Sequence, residues 1–188
     1  MARTTVAILT VLIFAVFSYL VQADPECPDN VKANPNNSTL RVFGGSCLEF
    51  VPIRTFWADA KKDCESRSGR LVEIKSAEMQ KYTYTTAKSL PFVNLGVWIG
   101  IDDTEKEGTW VYSSSGQPLS GYSNWAIGQP ACYLTGSLVS LCIEDCGLMD
   151  MDEYGQWNDQ YCHLAHLEYT YVCEYVLSGA GATQAPMP

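Results

Sequence analysis

The stretch that opens on Glu144-Asp145-Cys146 and closes on Trp157-Asn158-Asp159 ahead of Cys162 decides the reading of this chain. Two cysteines bracket it, and four oxygen-bearing side chains stand at its ends. A hard cation such as Ca²⁺ takes six to eight oxygens from carboxylates, side-chain amides and loop carbonyls. Further oxygens crowd the same half of the chain: Asp102-Asp103, Glu105, Glu107, Asp150 and Asp152-Glu153. On an arbitrary acidic protein such residues form a solvated face. Here the cysteines beside Glu144, Asp145, Asn158 and Asp159 set those four apart.

Working outward, the whole chain has 188 residues, 47% of them hydrophobic, and its 21 acidic against 12 basic side chains give a formal charge of −9. That length holds one domain with short extensions and buries a full core. The negative balance excludes a nucleic-acid partner, which needs a basic face. An even number of cysteines, eight, fits a disulfide framework if the chain is exported.

The N-terminus reads as an export signal. Arg3 flanks the uncharged run Val6 to Val21, and Val21-Gln22-Ala23 presents small or short residues at a cleavage position before Asp24. The run is short for a membrane anchor, and no second apolar stretch is long enough to span a bilayer. Residues 1–23 are therefore expected to be a signal peptide, 24–176 the folded domain and 177–188 a disordered tail of small residues and prolines. The product is expected to be secreted and extracellular, with no membrane anchor. Asn36-Asn37-Ser38 and Asn37-Ser38-Thr39 are overlapping glycosylation sequons at Asn36 and Asn37.

Arg54 to Ser68 carries Trp57, Ala60, Lys61 and Cys64 at helical spacing, with Gly69 as a stop. Ser76 caps a second helix through Ala87, with Glu78 in its first turn. From Val97 the pattern turns to short β-prone runs, Val97 to Ile101 and Thr109 to Tyr112, with a last strand over Tyr169 to Tyr175. Ser113 to Gly155 shows little periodicity, and the cysteines inside it argue for a loop pinned by cross-links. The fold class is α+β. Zinc is the competing use of clustered cysteines, disfavoured by the absence of paired C-x₂-C units and by an oxidising compartment.

Trp98-Ile99-Gly100-Ile101, Glu144-Asp145-Cys146 and Trp157-Asn158-Asp159 ahead of Cys162 and Cys173 together resemble the C-type lectin domain, over about Cys27 to Tyr175. The resemblance implies two helices, small antiparallel sheets and a long disulfide-pinned loop region. It implies the pairs Cys64–Cys173, Cys146–Cys162 and Cys27–Cys47, which leaves Cys132 with Cys142. Such bridges would contribute about 5 kcal/mol for the long loop and about 3 kcal/mol for each short one. By the same resemblance, a sugar-linked Ca²⁺ site would use Gln129, Glu144, Asn158 and Asp159, and a structural one Asp103, Glu107, Glu144 and Asp145. In such lectins two vicinal sugar hydroxyls complete the calcium shell, and the same side chains hydrogen-bond them. The family's tripeptide here is Gln129-Pro130-Ala131, where a cis Pro130 would aim both flanking side chains at one ion, and Gln129 leans toward galactose-type glycans. Alanine at 131 offers no oxygen, and Cys132 stands where the second site often has an acid. Trp125 or Tyr133 could offer a sugar an apolar platform, though Trp125 is the better candidate for the core.

Three function classes follow: a secreted calcium-dependent lectin binding glycans, microbial surfaces among them, in innate defence; a protein-binding module of lectin fold without sugar binding; and an enzyme. The third is disfavoured. His163-Leu164-Ala165-His166 lacks the metalloprotease glutamate and its spacing, and no nucleophile elbow or glycine-rich phosphate loop is present. Without a coiled coil or collagen repeat, multivalency would come from contacts between domains, and the oligomeric state is left open.

Overall fold

Val97, Trp98, Ile99 and Ile101 lie in one strand, β4 (Gly96–Asp102), every residue of which is buried. A strand covered on both faces needs a continuous apolar run rather than an alternating one, which is what this segment supplies. Gly100 has no alternative there, because a Cβ would stand 2.5 Å from the Leu71 carbonyl oxygen. The computed structural model describes residues 26–32, 37–93, 95–131, 133–134, 140–141, 143–164 and 166–177. The expected signal peptide 1–23, Asn36, Cys132 and Cys142 with their expected bridge, and residues 178–188 of the expected tail lie outside the described residues. Asn37 is described and exposed.

Around β4 the chain runs as a single-turn helix α1 (Asp29–Lys32), the hairpin β1 (Thr39–Phe43) and β2 (Ser46–Thr55), α2 (Trp57–Ser66), β3 (Arg70–Leu71) and α3 (Ala77–Ser89). After β4 come β5 (Val111–Tyr112), β6 (Gln117–Pro118), β7 (Tyr133–Leu134), β8 (Ser140–Leu141), β9 (Cys146–Asp150), β10 (Trp157–Gln160) and β11 (Tyr169–Val176). The main sheet is ordered β1-β2-β11-β4-β5-β6, with β9 added to β4 and β10 to β9. Only β11 and β4 pair in parallel among these. α2 packs on β3, β11 and β4.

The α2 face of the sheet holds Val51, Trp98, Leu148, Tyr171 and Cys173 with Trp57 and Ala60. The other face holds Phe50, Val97, Ile99, Met149 and Val172 with Met79 and Ala87 of α3. Alternation along β2, β4, β9 and β11 thus feeds two cores. Under α2, Glu49 is fully buried; it pairs with Arg67 and accepts from Tyr175 Oη at 2.8 Å and Ser38 Oγ at 2.6 Å. A buried carboxylate persists only with such partners.

The bridges Cys27–Cys47, Cys64–Cys173 and Cys146–Cys162 are formed, with Cα separations of 5.4, 5.4 and 5.2 Å. Several boundaries differ from the sequence reading. Arg54 and Thr55 are strand and not helix, because Thr55 pairs with Tyr169 and its carbonyl accepts Trp98 Nε1–H at 2.8 Å. Thr109 and Trp110 precede their strand, and β9 lies inside the span read as loop, since Gly96 to Trp98 of β4 offers it an edge. Packing also reaches Leu177, which is buried and donates its N–H to the Gly45 carbonyl at 2.9 Å. Among the described residues no helix is long and apolar enough to cross a membrane.

Candidate functional site

Residues 124–131 are clamped along β10 by the backbone. Trp157 N–H donates to the Asn124 carbonyl at 2.7 Å, and Ala126 N–H donates to the Trp157 carbonyl at 2.9 Å. That seats Gln129 beside Asn158, and the two side chains line one cleft of about 220 Å³ with Ala126, Ile127, Glu153 and Gln156. The Gln129–Pro130 peptide bond is cis, and the following Ala131 N–H donates to Asp159 Oδ2 at 2.6 Å.

The arrangement leaves oxygens without partners. Gln129 Oε1, Asn158 Oδ1, Asp159 Oδ1 and Asp103 Oδ1 are all buried with no hydrogen-bond donor. A buried acceptor left so costs about 1–3 kcal/mol, more if charged, so Gln129 and Asn158 at one cleft, with Asp159 next in sequence and Asp103 within its electrostatic reach, mark a place suited to something electropositive. Asn158 is oriented for this by its other amide atom, which donates to Asp150 Oδ2 at 3.0 Å.

Acidic groups gather within electrostatic reach of Asp103 and Asp159. Asp103 N–H donates to the Asp145 carbonyl at 3.1 Å, and Asp103 Oδ2 accepts the Gly108 N–H at 2.8 Å. Burial, with the charges of Glu107, Asp145 and Asp159 added, pushes Asp103 up to about 6. Burial raises Asp159 likewise to about 6, with Glu107 and Asp145 adding to it. Glu144 is raised by burial and by Asp159. Asp145 is raised by burial and by Asp102, against an opposing pull from His163. Among the described residues none of these five acids forms an ion pair with Lys or Arg. The structure therefore brings Gln129, Asn158 and Asp159 together, and sets Asp103, Glu107, Glu144 and Asp145 within electrostatic reach of Asp159 or of each other.

No three His, Cys, Asp or Glu side chains among the described residues form a ready cage. The donor set at the cleft is instead mixed amide and carboxylate oxygen, which suits the flexible shell of calcium and not the tetrahedral N/S shell of zinc. The six cysteines described are all in bridges.

Sequence reasoning missed Gln80 and Gln156 as parts of the site, and counted Glu153 only among the general run of acidic oxygens. Gln80 Oε1 accepts Trp157 Nε1–H at 2.8 Å and its amide donates to the Gly155 carbonyl at 2.7 Å, holding β10 from below. Its signal was a polar residue on the buried face of α3, among Met79, Thr83 and Ala87. Trp125 is half-buried and meets Trp110 and Trp157 edge to face, with centroids 4.7 and 5.8 Å apart. The side chain of Tyr133 lies outside the described residues.

Comparison with known proteins bears on the family and the fold. The family model of the lectin C-type domain matches residues 53–175. A perlucin-like protein of Mytilus galloprovincialis is 30% identical over 168 residues, covering 88% of this chain and 96% of that protein. The hepatic lectin of Gallus gallus is 31% identical, over 71% of this chain but only 55% of its own length. Among solved structures, the carbohydrate-recognition domain of the mouse scavenger receptor C-type lectin is 30% identical with a TM-score of 0.60, covering 80% of this chain and 96% of that one. With the motifs, the three bridges and the fold in agreement, the chain belongs to the C-type lectin family.

Proposed function

We propose that the protein is a secreted, calcium-dependent carbohydrate-binding lectin whose primary site is Gln129, Glu144, Asn158 and Asp159. One observation carries the reading: Gln129 Oε1 and Asn158 Oδ1 are buried acceptors without donors at one cleft, and the adjoining Asp159, which accepts the Ala131 N–H, leaves its Oδ1 buried without a donor as well. Asp103, Glu107, Glu144 and Asp145 would hold a second, structural ion. When bound, Ca²⁺ supplies open coordination positions for two vicinal sugar hydroxyls. The chain's own part is to orient the amide and carboxylate side chains that hydrogen-bond those hydroxyls, with Asp150 and the Ala131 N–H fixing Asn158 and Asp159. Gln129 favours galactose-type glycans, on glycoproteins or microbial surfaces, which fits a role in innate defence. The export signal at residues 1–23 and the exposed sequon residue Asn37 support an extracellular glycoprotein.

Retention on immobilised galactose in calcium and release by EDTA tests this, with immobilised mannose for comparison. Calcium-independent passage through both columns would favour a second reading, a lectin-fold module that binds protein. Ala131 supports that alternative, because position 131 contributes only its N–H to the site.

A further inference from the structure

The segment from Trp125 to Pro130 has two sides. It presents Ala126, Ile127 and Gln129 to the cleft described above. To a separate groove of about 430 Å³ it presents Trp125 and Pro130, facing Trp110, Tyr122, Thr109 and Ser123. That volume falls within the range of about 300–1,000 Å³ usual for small-molecule sites.

The groove's chemistry is particular. None of the residues that line it is charged, in a chain with 33 acidic and basic side chains, 21 and 12 respectively. A neighbouring cleft carries Lys61, Asp102, Asp103, Glu105 and Lys106. Its rings are held in place before anything binds: Trp110 and Trp125 meet edge to face at 4.7 Å, and Tyr122 and Trp125 each rest edge-on against Trp157, at 5.9 and 5.8 Å. Trp110 is itself buried and backs the groove, so the ring surface on offer is that of the half-buried Tyr122 and Trp125; surfaces fixed in this way cost little ordering on binding. Thr109 and Ser123, both exposed, add hydroxyl-bearing side chains to its lining. Rings for C–H faces, hydroxyls for hydroxyls and no fixed charge together match an uncharged sugar ring.

We propose that this groove is a second saccharide subsite, filled by a neutral mono- or disaccharide unit without calcium. It uses none of the acidic residues of the primary site, so its failure and that of the calcium-dependent reading are separable.

The test is run in EDTA on the full secreted protein, titrating lactose, maltose and cellobiose while following tryptophan fluorescence. At least one sugar should give a saturable change. Ser123→Arg and Thr109→Arg, which place a long charged chain over the rim, should each weaken it tenfold or more while retention on the calcium-dependent column is kept. No saturable change with any of the three sugars overturns the proposal, as does a change that both variants retain. Altered sedimentation of sugar-free Ser123→Arg would name a second copy of the chain as the occupant and also overturn it. If an arginine variant melts early, NMR of the native protein in EDTA decides instead. Shifts at Trp110, Tyr122 and Trp125 support the subsite, and shifts elsewhere or none refute it.

Discussion

Asn158 gives its side-chain amide to Asp150 Oδ2 at 3.0 Å, and its own Oδ1 is left buried without a donor. Asp150 does more than this. Its Oδ1 accepts the N–H groups of Asp152 and Glu153 at 2.8 and 3.2 Å, closing the turn that carries Glu153 to the cleft. Asp150 is thus a positioning residue, and partners of this kind are worth ten- to a hundredfold in metal affinity. Asp150→Ala should weaken calcium binding about tenfold or more by calorimetry. Asp150→Asn keeps a single acceptor oxygen, which can serve either the N–H groups of the turn or the Asn158 amide but not both, so it should recover part of the loss. Equal calcium affinity in all three proteins would remove Asp150 from the site.

Much of this arrangement could be read in the sequence, and the limits have physical causes. The apolar run Trp98 to Ile101 is a local feature, so its strand follows from residue type, whereas the cysteine pairs were legible only through the resemblance to the C-type lectin domain. The grouping of Asn158 and Asp159 with Gln129 was likewise legible only through that resemblance, because nothing local to either motif points to the other. That Glu153 and Gln156 reach the same cleft as Gln129 was not legible, since the turn between them has Tyr154 and Gly155 both at positive φ, 56° and 79°. Nothing at a tyrosine announces that. Arg54 was misread because its helical neighbours begin only at Trp57, while the pairing that claims Thr55 comes from Tyr169, more than a hundred residues on.

Gln80 ties the helix layer to the site through Trp157. Gln80→Leu keeps the volume close but removes the acceptor of the buried indole N–H, at 2.8 Å. The Gly155 carbonyl retains a donor in Asn124 Nδ2 at 3.0 Å, so one orphaned group remains rather than two. The expected cost is about 1–3 kcal/mol, read as a lower midpoint in urea with an unchanged slope. A loss below half a kcal/mol, on the order of an ordinary surface change, would show that the indole finds another partner.

Ala131 is half-buried and reaches the site only through its N–H. A substitution there preserves that N–H, so Ala131→Asp adds an oxygen and a charge without removing a contact. A charge-assisted hydrogen bond is worth about 1.5–3 kcal/mol, roughly ten- to a hundredfold. Ala131→Asp should therefore tighten both calcium and galactose by at least about tenfold, and Ala131→Asn should do so less and with less preference among sugars. Calorimetric titration of the three proteins checks it; unchanged binding in Ala131→Asp would move the recognition surface away from this cleft.

The acids at the site give the stability of the calcium-free protein an unusual pH dependence. Asp103 and Asp159 have folded-state values of about 6 against 3.8 in an unfolded chain, mainly through burial. A carboxyl raised in this way binds its proton more tightly in the native state. Between those two values the native protein holds more protons than the unfolded chain, and stability falls as pH rises. In EDTA the melting temperature should therefore be higher near pH 5 than near pH 7. Calcium favours the ionised carboxylates and binds only the folded state, so saturating calcium adds most stability at neutral pH and reverses that order. Asp159→Asn cannot titrate at 159, and should flatten the EDTA profile while shrinking the calcium-induced rise. Differential scanning calorimetry at both pH values, with EDTA and with calcium, reads all of this. A melting temperature in EDTA that climbs from pH 5 to pH 7 would mean that these carboxylates are not strained by their burial, and the cleft would lose its electrostatic reason for holding a cation.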